Sequence, residues 1–298
     1  MLILYIVLGV LFVSYLLVLA YVSFKVIKID RLSYDEIWKF DKELNNLSDD
    51  IRDIPYESFY KINKRGLKLH ARLFKAEVLT NKYIFLNHGN SCVYTGMLKY
   101  INMYLDMGYN VFAPDHMGRG ESEGKYNTYG YYEHQDSLEW LDYLYQLDES
   151  AEIGVVGESM GGTISLLMAS KDRRIKFVID DCGFHNAYDS VRYVTAMKIG
   201  ILSNIVTPLV NLMIFLVTRA NIKKVDVLSI IDKIMVPVLI IHGMKDVKVL
   251  PESSFLIHDA NPDNELEIFS EGQHAQCFSA DNEKYKSIIS SFLERKGF

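Results

Sequence analysis

The sequence carries no basic excess. Its 32 lysines and arginines are outnumbered by 38 aspartates and glutamates, a formal net charge of -6, so no basic face offers itself to a phosphate backbone. Nucleic acid is therefore not expected as a partner. Cysteine is scarce too: Cys92, Cys182 and Cys277 are odd in number, far apart and without C-x-x-C spacing, which argues against a disulfide framework and against a zinc site. Each is expected to be a reduced thiol behaving as a small buried hydrophobe. The chain also lacks H-E-x-x-H and any carboxylate and histidine cluster at ligand spacing, so neither a metal nor a cofactor is expected. Repeats and low-complexity tracts are missing as well.

Charge is absent altogether from Met1 to Phe24, MLILYIVLGVLFVSYLLVLAYVSF. As a helix, a run of that length spans the ~30 Å hydrocarbon core of a bilayer, which predicts a single-pass anchor over residues 1–28. A cleaved signal peptide is the alternative, but it would want a basic start and a shorter apolar region, and only Val18-Leu19-Ala20 offers a weak cleavage site. A buried core helix is the third reading. Lys25, Lys28 and Arg31 follow the run, and the positive-inside tendency then puts the rest of the chain on the cytoplasmic side; Asp30 and Asp35 weigh little in that rule.

Residues 29–50 are charged and read as a juxtamembrane helix plus tether, with a globular domain over 51–298. YESFYKI and LKLHARLF flank the turn Asn63-Lys64-Arg65-Gly66 and predict a hairpin. Short apolar strands follow at 82–89, 109–115, 152–158, 176–182, 236–243 and 265–272, separated by helical-length segments at 94–107, 130–147, 160–171, 184–198 and 250–260. Such alternation predicts an α/β fold: a mainly parallel central sheet, an antiparallel N-terminal hairpin, and helices on both faces. Between about 186 and 225 the chain is too long for one helix and a loop, and Ile199 to Thr218 is uncharged. A second membrane span and a plain core helix are possible by length. Thr207-Pro208, an N-cap followed by proline at the first helical position, instead predicts a new helix starting there, hence an inserted helical lid. Leu209, Leu212, Met213 and Leu216 would share its inward face over the sheet edge.

The run EIGVVGESMGGTISLLMAS, 152–170, places G-x-S-x-G between a strand and a helix. A tight turn there pushes the Ser159 hydroxyl out at the carboxyl edge of the sheet, and the helix beginning at Met160 turns free N–H groups toward a developing oxyanion. A serine needs a base, and in this arrangement acid and histidine come from loops after later strands. Asp246, ending VPVLIIHGMKD, and His274, ending ELEIFSEGQH, stand in that order and on that edge. His242, in a strand, and His258, in a helix, read as structural. The N–H of Asn90, after LNHG, is the candidate second oxyanion donor beside Met160, with Ser91 as its rival. Glu158 is expected to point into the loop network rather than act as a base. GRGESEGK fails as a phosphate loop, because its spacing is one residue too long and Tyr126 stands where Ser or Thr must ligate magnesium. It reads as a structural turn under the site.

Five blocks, NHGN, PDHMGRGESEGKY, GESMGG, VPVLIIHGMKD and EGQHA, occur in an order that resembles the α/β-hydrolase superfamily, among its monoacylglycerol lipase-like and serine aminopeptidase-like members and their membrane-anchored bacterial relatives. The resemblance covers about Tyr56 to Phe298. It departs at Met117, where many relatives carry arginine, and at Val247 to Pro251 after the acid. It implies a serine hydrolase acting through an acyl-enzyme on small-molecule or lipid-like acyl esters, without a cofactor. A peptidase, amidase or acyltransferase would use the same residues, and a catalytically silent anchored binding module is the reading from another class.

Overall fold

The computed structural model describes residues 1–29 and 31–298; Asp30, in the segment expected to be a tether, lies outside the described residues. The chain opens with helix α1 (Leu2–Ile27) and helix α2 (Tyr34–Asn45). Strands β1 (Glu57–Ile62), β2 (Lys68–Phe74) and β3 (Lys82–Asn87) follow, then α3 (Leu98–Asp106), β4 (Asn110–Pro114), α4 (Glu133–Leu147), β5 (Glu152–Glu158), α5 (Met160–Ala169) and β6 (Val178–Asp181). An insertion of α6 (Ala187–Ile199) and α7 (Ser203–Thr218) precedes β7 (Val238–Gly243), α8 (Glu252–Ala260), β8 (Glu265–Phe269), α9 (Cys277–Ala280) and α10 (Asn282–Lys296).

The eight strands form one sheet in the order β1-β2-β4-β3-β5-β6-β7-β8. β1 pairs antiparallel with β2, and β2 antiparallel with β4; every other pairing is parallel. Alternation of side chains along each strand divides the core into two layers. Phe85, Val155, Val238 and Ile240 face α4, α5, α8 and the insertion, whereas Ile84, Leu86, Val156, Leu239 and Ile241 face α3, α9 and α10. The C-terminal helix α10, capped by the Asp281 side chain on the Lys284 N–H, was not singled out in the sequence, and it closes the second layer with Tyr285, Ile289, Phe292 and Leu293.

Two expectations need correction. The helix break in the insertion is at Gly200, whose φ of 57° and ψ of -135° suit a residue without Cβ, and not at Thr207-Pro208; Pro208 lies inside α7. The inward face of α7 is Ser203, Val206, Thr207, Val210 and Ile214, while Leu212 and Leu216 point out. Both faces of this helix are apolar, so periodicity alone could not choose between them. By length and composition the stretch Ala187–Thr218 could cross a membrane, and Leu2–Val18 is a shorter apolar run in α1.

Helix α2 does not stand off from the body. Ser33 caps it by accepting the Glu36 N–H, Trp38 is buried in the second core layer, and Asp41 is 4% exposed. Asp41 Oδ1 lies 3.1 Å from Lys99 Nζ, which in turn lies 3.1 Å from Glu158 Oε2, the residue before Ser159. Burial alone would lower the Lys99 ammonium, but Glu158 and Asp41 hold it well above its ordinary value. Burial pushes Asp41 up to about 6 against the pull of Lys99. Lys99→Met strands two buried carboxylates, and we expect a loss of about 3–5 kcal/mol in urea unfolding at pH 8, followed by tryptophan fluorescence in detergent. A loss below about 1 kcal/mol would show that α2 is held by its apolar face alone.

Candidate active site

Strand β5 ends at Glu158 and helix α5 begins at Met160, so one residue, Ser159, makes the whole turn. Its φ of 57° and ψ of -122° are a strained conformation for a residue with a side chain. The turn closes because glycines flank it: a Cβ on Gly161 would fall 2.0 Å from the Asn87 carbonyl oxygen, and one on Gly157 2.1 Å from that of Gly161. The Ser159 N–H donates to the Asp181 carbonyl at 2.7 Å, tying the elbow to β6.

Ser159 Oγ lies 2.9 Å from His274 Nε2, and His274 Nδ1 lies 2.7 Å from Asp246 Oδ2. The three side chains read from the sequence thus form one hydrogen-bonded chain, contributed by the loops after β5, β7 and β8. The Asp246 carboxylate is 2% exposed. Burial alone would raise it, but hydrogen bonds from His242, His274 and the Val249 N–H hold it well below the ordinary carboxylate range, so it stays an anion facing His274. The N–H of Met160 opens α5 and has no carbonyl one turn earlier to satisfy it. Gly89 abuts the elbow, since a Cβ there would lie 3.5 Å from that of Ser159, and this brings the loop of Asn90 beside the serine. Asn90 is braced from behind: its Oδ1 accepts from Asn127 Nδ2 at 2.6 Å and from Arg119 Nη2 at 3.2 Å.

A cavity of about 850 Å³ opens on these groups. Ser159, Met160, Asn90, Ser91 and His274 form its floor, Val191, Val194, Ile199 and Val206 of the insertion one wall, and Ile37, Phe40 and Leu44 of α2 another. Tyr21 of α1 reaches it too.

Residues 33–201 match the family described as X-Pro dipeptidyl-peptidase (S15 family). The chain belongs to the S15 family. It is accordingly a hydrolase of the α/β-hydrolase superfamily, and the family match begins at α2, ahead of the boundary at residue 51 expected from the sequence. This S15-family chain is 31% identical over 220 residues to the uncharacterized protein YqkD of Bacillus subtilis (strain 168), covering 72% of each chain. It is 26% identical over 258 residues to the membrane protein YNL320W of Saccharomyces cerevisiae, covering 84% of this chain and 83% of the yeast protein. Monoglyceride lipase of Mus musculus is 31% identical over 125 residues, 40% of this chain and 41% of that protein. Among solved structures, an esterase of Pyrococcus furiosus, Pf2001, superposes with a TM-score of 0.68 at 24% identity, over 84% of this chain and 96% of that one.

Around the candidate site the structure gives several residues contacts that the sequence did not show. His242, set aside as structural, has Nε2 3.2 Å from Asp246 Oδ2 and 2.9 Å from the Val249 carbonyl; its position four residues before the acid, across a strand end, was the available signal. His88 accepts the His116 N–H on Nε2 at 3.0 Å, and burial lowers its pKa to about 4, so it braces the Asn90 loop as a neutral ring. Cys182 is buried, with its sulfur, Asp246 and His274 within 4.8 Å of one another, and burial pushes its thiol well up. Glu158, as expected, turns away from Ser159 and pairs with Lys99 and Tyr100. The Asp115 to Gly124 loop is also a braced turn: Asp115 takes hydrogen bonds from His70, Arg72 and the Glu121 N–H.

Under the elbow, Asp180 Oδ1 accepts the Gly183 N–H at 2.9 Å and occupies the space a Gly162 side chain would need. Burial lifts its carboxyl to about 7. A carboxyl whose folded pKa exceeds its unfolded value near 4 favours the fold when protonated, and that contribution fades as pH rises from about 4 to 7. Asp180→Asn, which cannot ionise, should therefore gain stability relative to the parent between pH 5 and 8, read from paired urea unfolding curves. A parent-to-variant difference that stays flat across this range would mean that Asp180 ionises normally.

Proposed function

We propose that the protein is a membrane-anchored serine hydrolase that cleaves carboxylic esters through an acyl-enzyme. The observation that carries this reading is the chain Ser159 Oγ, His274 and Asp246 opening onto an apolar cavity. Ser159 attacks the ester carbonyl carbon as His274 Nε2 takes its proton, and Asp246 steadies the resulting imidazolium. The tetrahedral oxyanion lies against the N–H groups of Met160 and Asn90. Collapse breaks the bond to the alkoxy oxygen, which leaves as an alcohol with the proton from His274. Water, deprotonated by the same ring, then attacks the acyl carbon, and the acid departs as Ser159 regains its proton.

Support for an ester over an amide comes from monoglyceride lipase, whose matched segment resembles this chain. Support for an anchor comes from the uncharged run Met1–Phe24, most of helix α1, and from the likeness to the yeast membrane protein. The residues basic at its end, Lys25, Lys28 and Arg31, favour a cytoplasmic hydrolase unit. We take that unit to start at α2, residue 34, with α6 and α7 as its lid. The S15 match keeps a peptidase as the second reading.

Detergent-solubilised full-length protein should react with a fluorophosphonate probe and hydrolyse nitrophenyl esters, and Ser159→Ala should abolish labelling and lower kcat on the order of 10⁴-fold or more. Octanoate should be preferred to acetate, because each methylene buried in the cavity contributes up to about 0.8 kcal/mol. Val194→Ser with Ile199→Ser, on the cavity wall, should flatten that preference and spare the acetyl ester. Full esterase activity in Ser159→Ala would sink the mechanism, and turnover of an X-Pro anilide with inert esters would move the protein to the peptidase reading.

A further inference from the structure

The outward face of the insertion is apolar and exposed. Ile201 is 84% exposed, and Leu202, Ile205, Leu212, Phe215 and Leu216 are each about half exposed. Patches of this kind on a folded surface mark a place that something else covers. The charge around it is segregated: between Asp189 and Asp226 there is no acidic residue, whereas Arg192, Lys198, Arg219, Lys223 and Lys224 are all basic, in a chain of net charge -6. An apolar segment whose own charged residues between Asp189 and Asp226 are all cations fits a surface that is itself apolar inside and anionic at its edge.

Helix α1 sets where that surface must be. It packs against α7, and residues 2–18 are exposed while Ile27 at its end is buried. As a helix the uncharged run Met1–Phe24 rises about 36 Å at 1.5 Å per residue, more than the ~30 Å hydrocarbon core. A spanning α1 therefore has Tyr21 in its last uncharged turn, near the boundary of acyl chains and headgroups. Tyr21 lines the same cavity as Ile199 and Val206, on either side of the bend between α6 and α7. The insertion cannot stand clear of a bilayer that α1 crosses.

We propose that the outer face of α6 and α7, from Ile201 to Leu216, docks into an anionic lipid bilayer beside α1, with Arg219, Lys223 and Lys224 among the headgroups. The proposal rests on the reading of α1 as a membrane span. It gives the cavity a mouth at the lipid surface, reached without passage through water.

The test is depth-dependent quenching by bromolipids of the full-length protein in vesicles. The native tryptophans, Trp38 and Trp140, are both buried, so Ile201→Trp reports on the bend and Leu8→Trp on α1. In vesicles containing phosphatidylglycerol, lipids brominated near the headgroup end of the acyl chain should quench Trp at 201. Arg219→Glu, Lys223→Glu and Lys224→Glu together, or vesicles of phosphatidylcholine alone, should cut that quenching at least twofold. Quenching at 8 but not at 201 overturns the docking surface; if 201 is then also shielded from iodide, a second copy of the chain covers it instead. Quenching at 201 that ignores both lipid charge and charge reversal overturns the anionic specificity. No quenching at 8 overturns the anchor itself.

Discussion

Two backbones meet at the centre of this molecule with nothing between them. Gly161, in the first turn of α5, rests on the carbonyl of Asn87 at the end of β3, and Gly157 rests on Gly161. Without a Cβ at either place β5 can pass into α5 within a single residue, which is what forces Ser159 to a positive φ. Strain of that kind costs on the order of 1–3 kcal/mol and persists only where the surroundings over-determine it. Here the surroundings are α5, buried along its whole length, and the Ser159 N–H bond to Asp181. The same contact brings the Asn90 loop beside the serine, so the close approach that shapes the Ser159 turn also shapes the proposed oxyanion site.

Beneath the elbow lies a buried polar layer that joins distant parts of the chain. Lys99 of α3 links Asp41 of α2 to Glu158, Tyr100 reaches both Glu158 and Asp181, and Tyr285 of α10 donates to Asp181 at 2.8 Å. Buried carboxylates are costly unless they are paired or protonated. Lys99 pairs two of them, and Asp181, which burial pushes up to about 6, takes hydrogen bonds from the Tyr100 and Tyr285 hydroxyls. Helix α2 is fastened to Glu158, the residue next to Ser159, while its Ile37, Phe40 and Leu44 wall the cavity.

The insertion divides its apolar surface between two duties. Val206, Val210 and Ile214 of α7 pack into the core layer that also holds α4 and α5, and Val191 and Val194 of α6 line the cavity. What remains faces outward next to α1. A helix apolar on all sides is stable only when every side is covered, and the body of the protein covers one side of α7.

Much of this was legible in the sequence, because short-range chemistry specified it. Alternating runs located the hairpin and short apolar runs the parallel strands, G-x-S-x-G between strand and helix located the elbow, and the order of Ser159, Asp246 and His274 along strand ends put them on one edge. Helix α2 was legible as a juxtamembrane helix, but its docking was not, since a buried Asp41 looks like any surface aspartate until Lys99 is found opposite it. His242 likewise reads as a strand residue until β7 ends beside Asp246. The orientation of α7 was beyond reach for a different reason: leucine, isoleucine and valine occupy both of its faces, so the periodic signal is flat. Local pattern determines where a chain turns and which residue types arrive together at a sheet edge; which apolar face turns inward, and which buried charge meets which, is decided by partners far away in sequence, and only the packed tertiary structure brings them into contact.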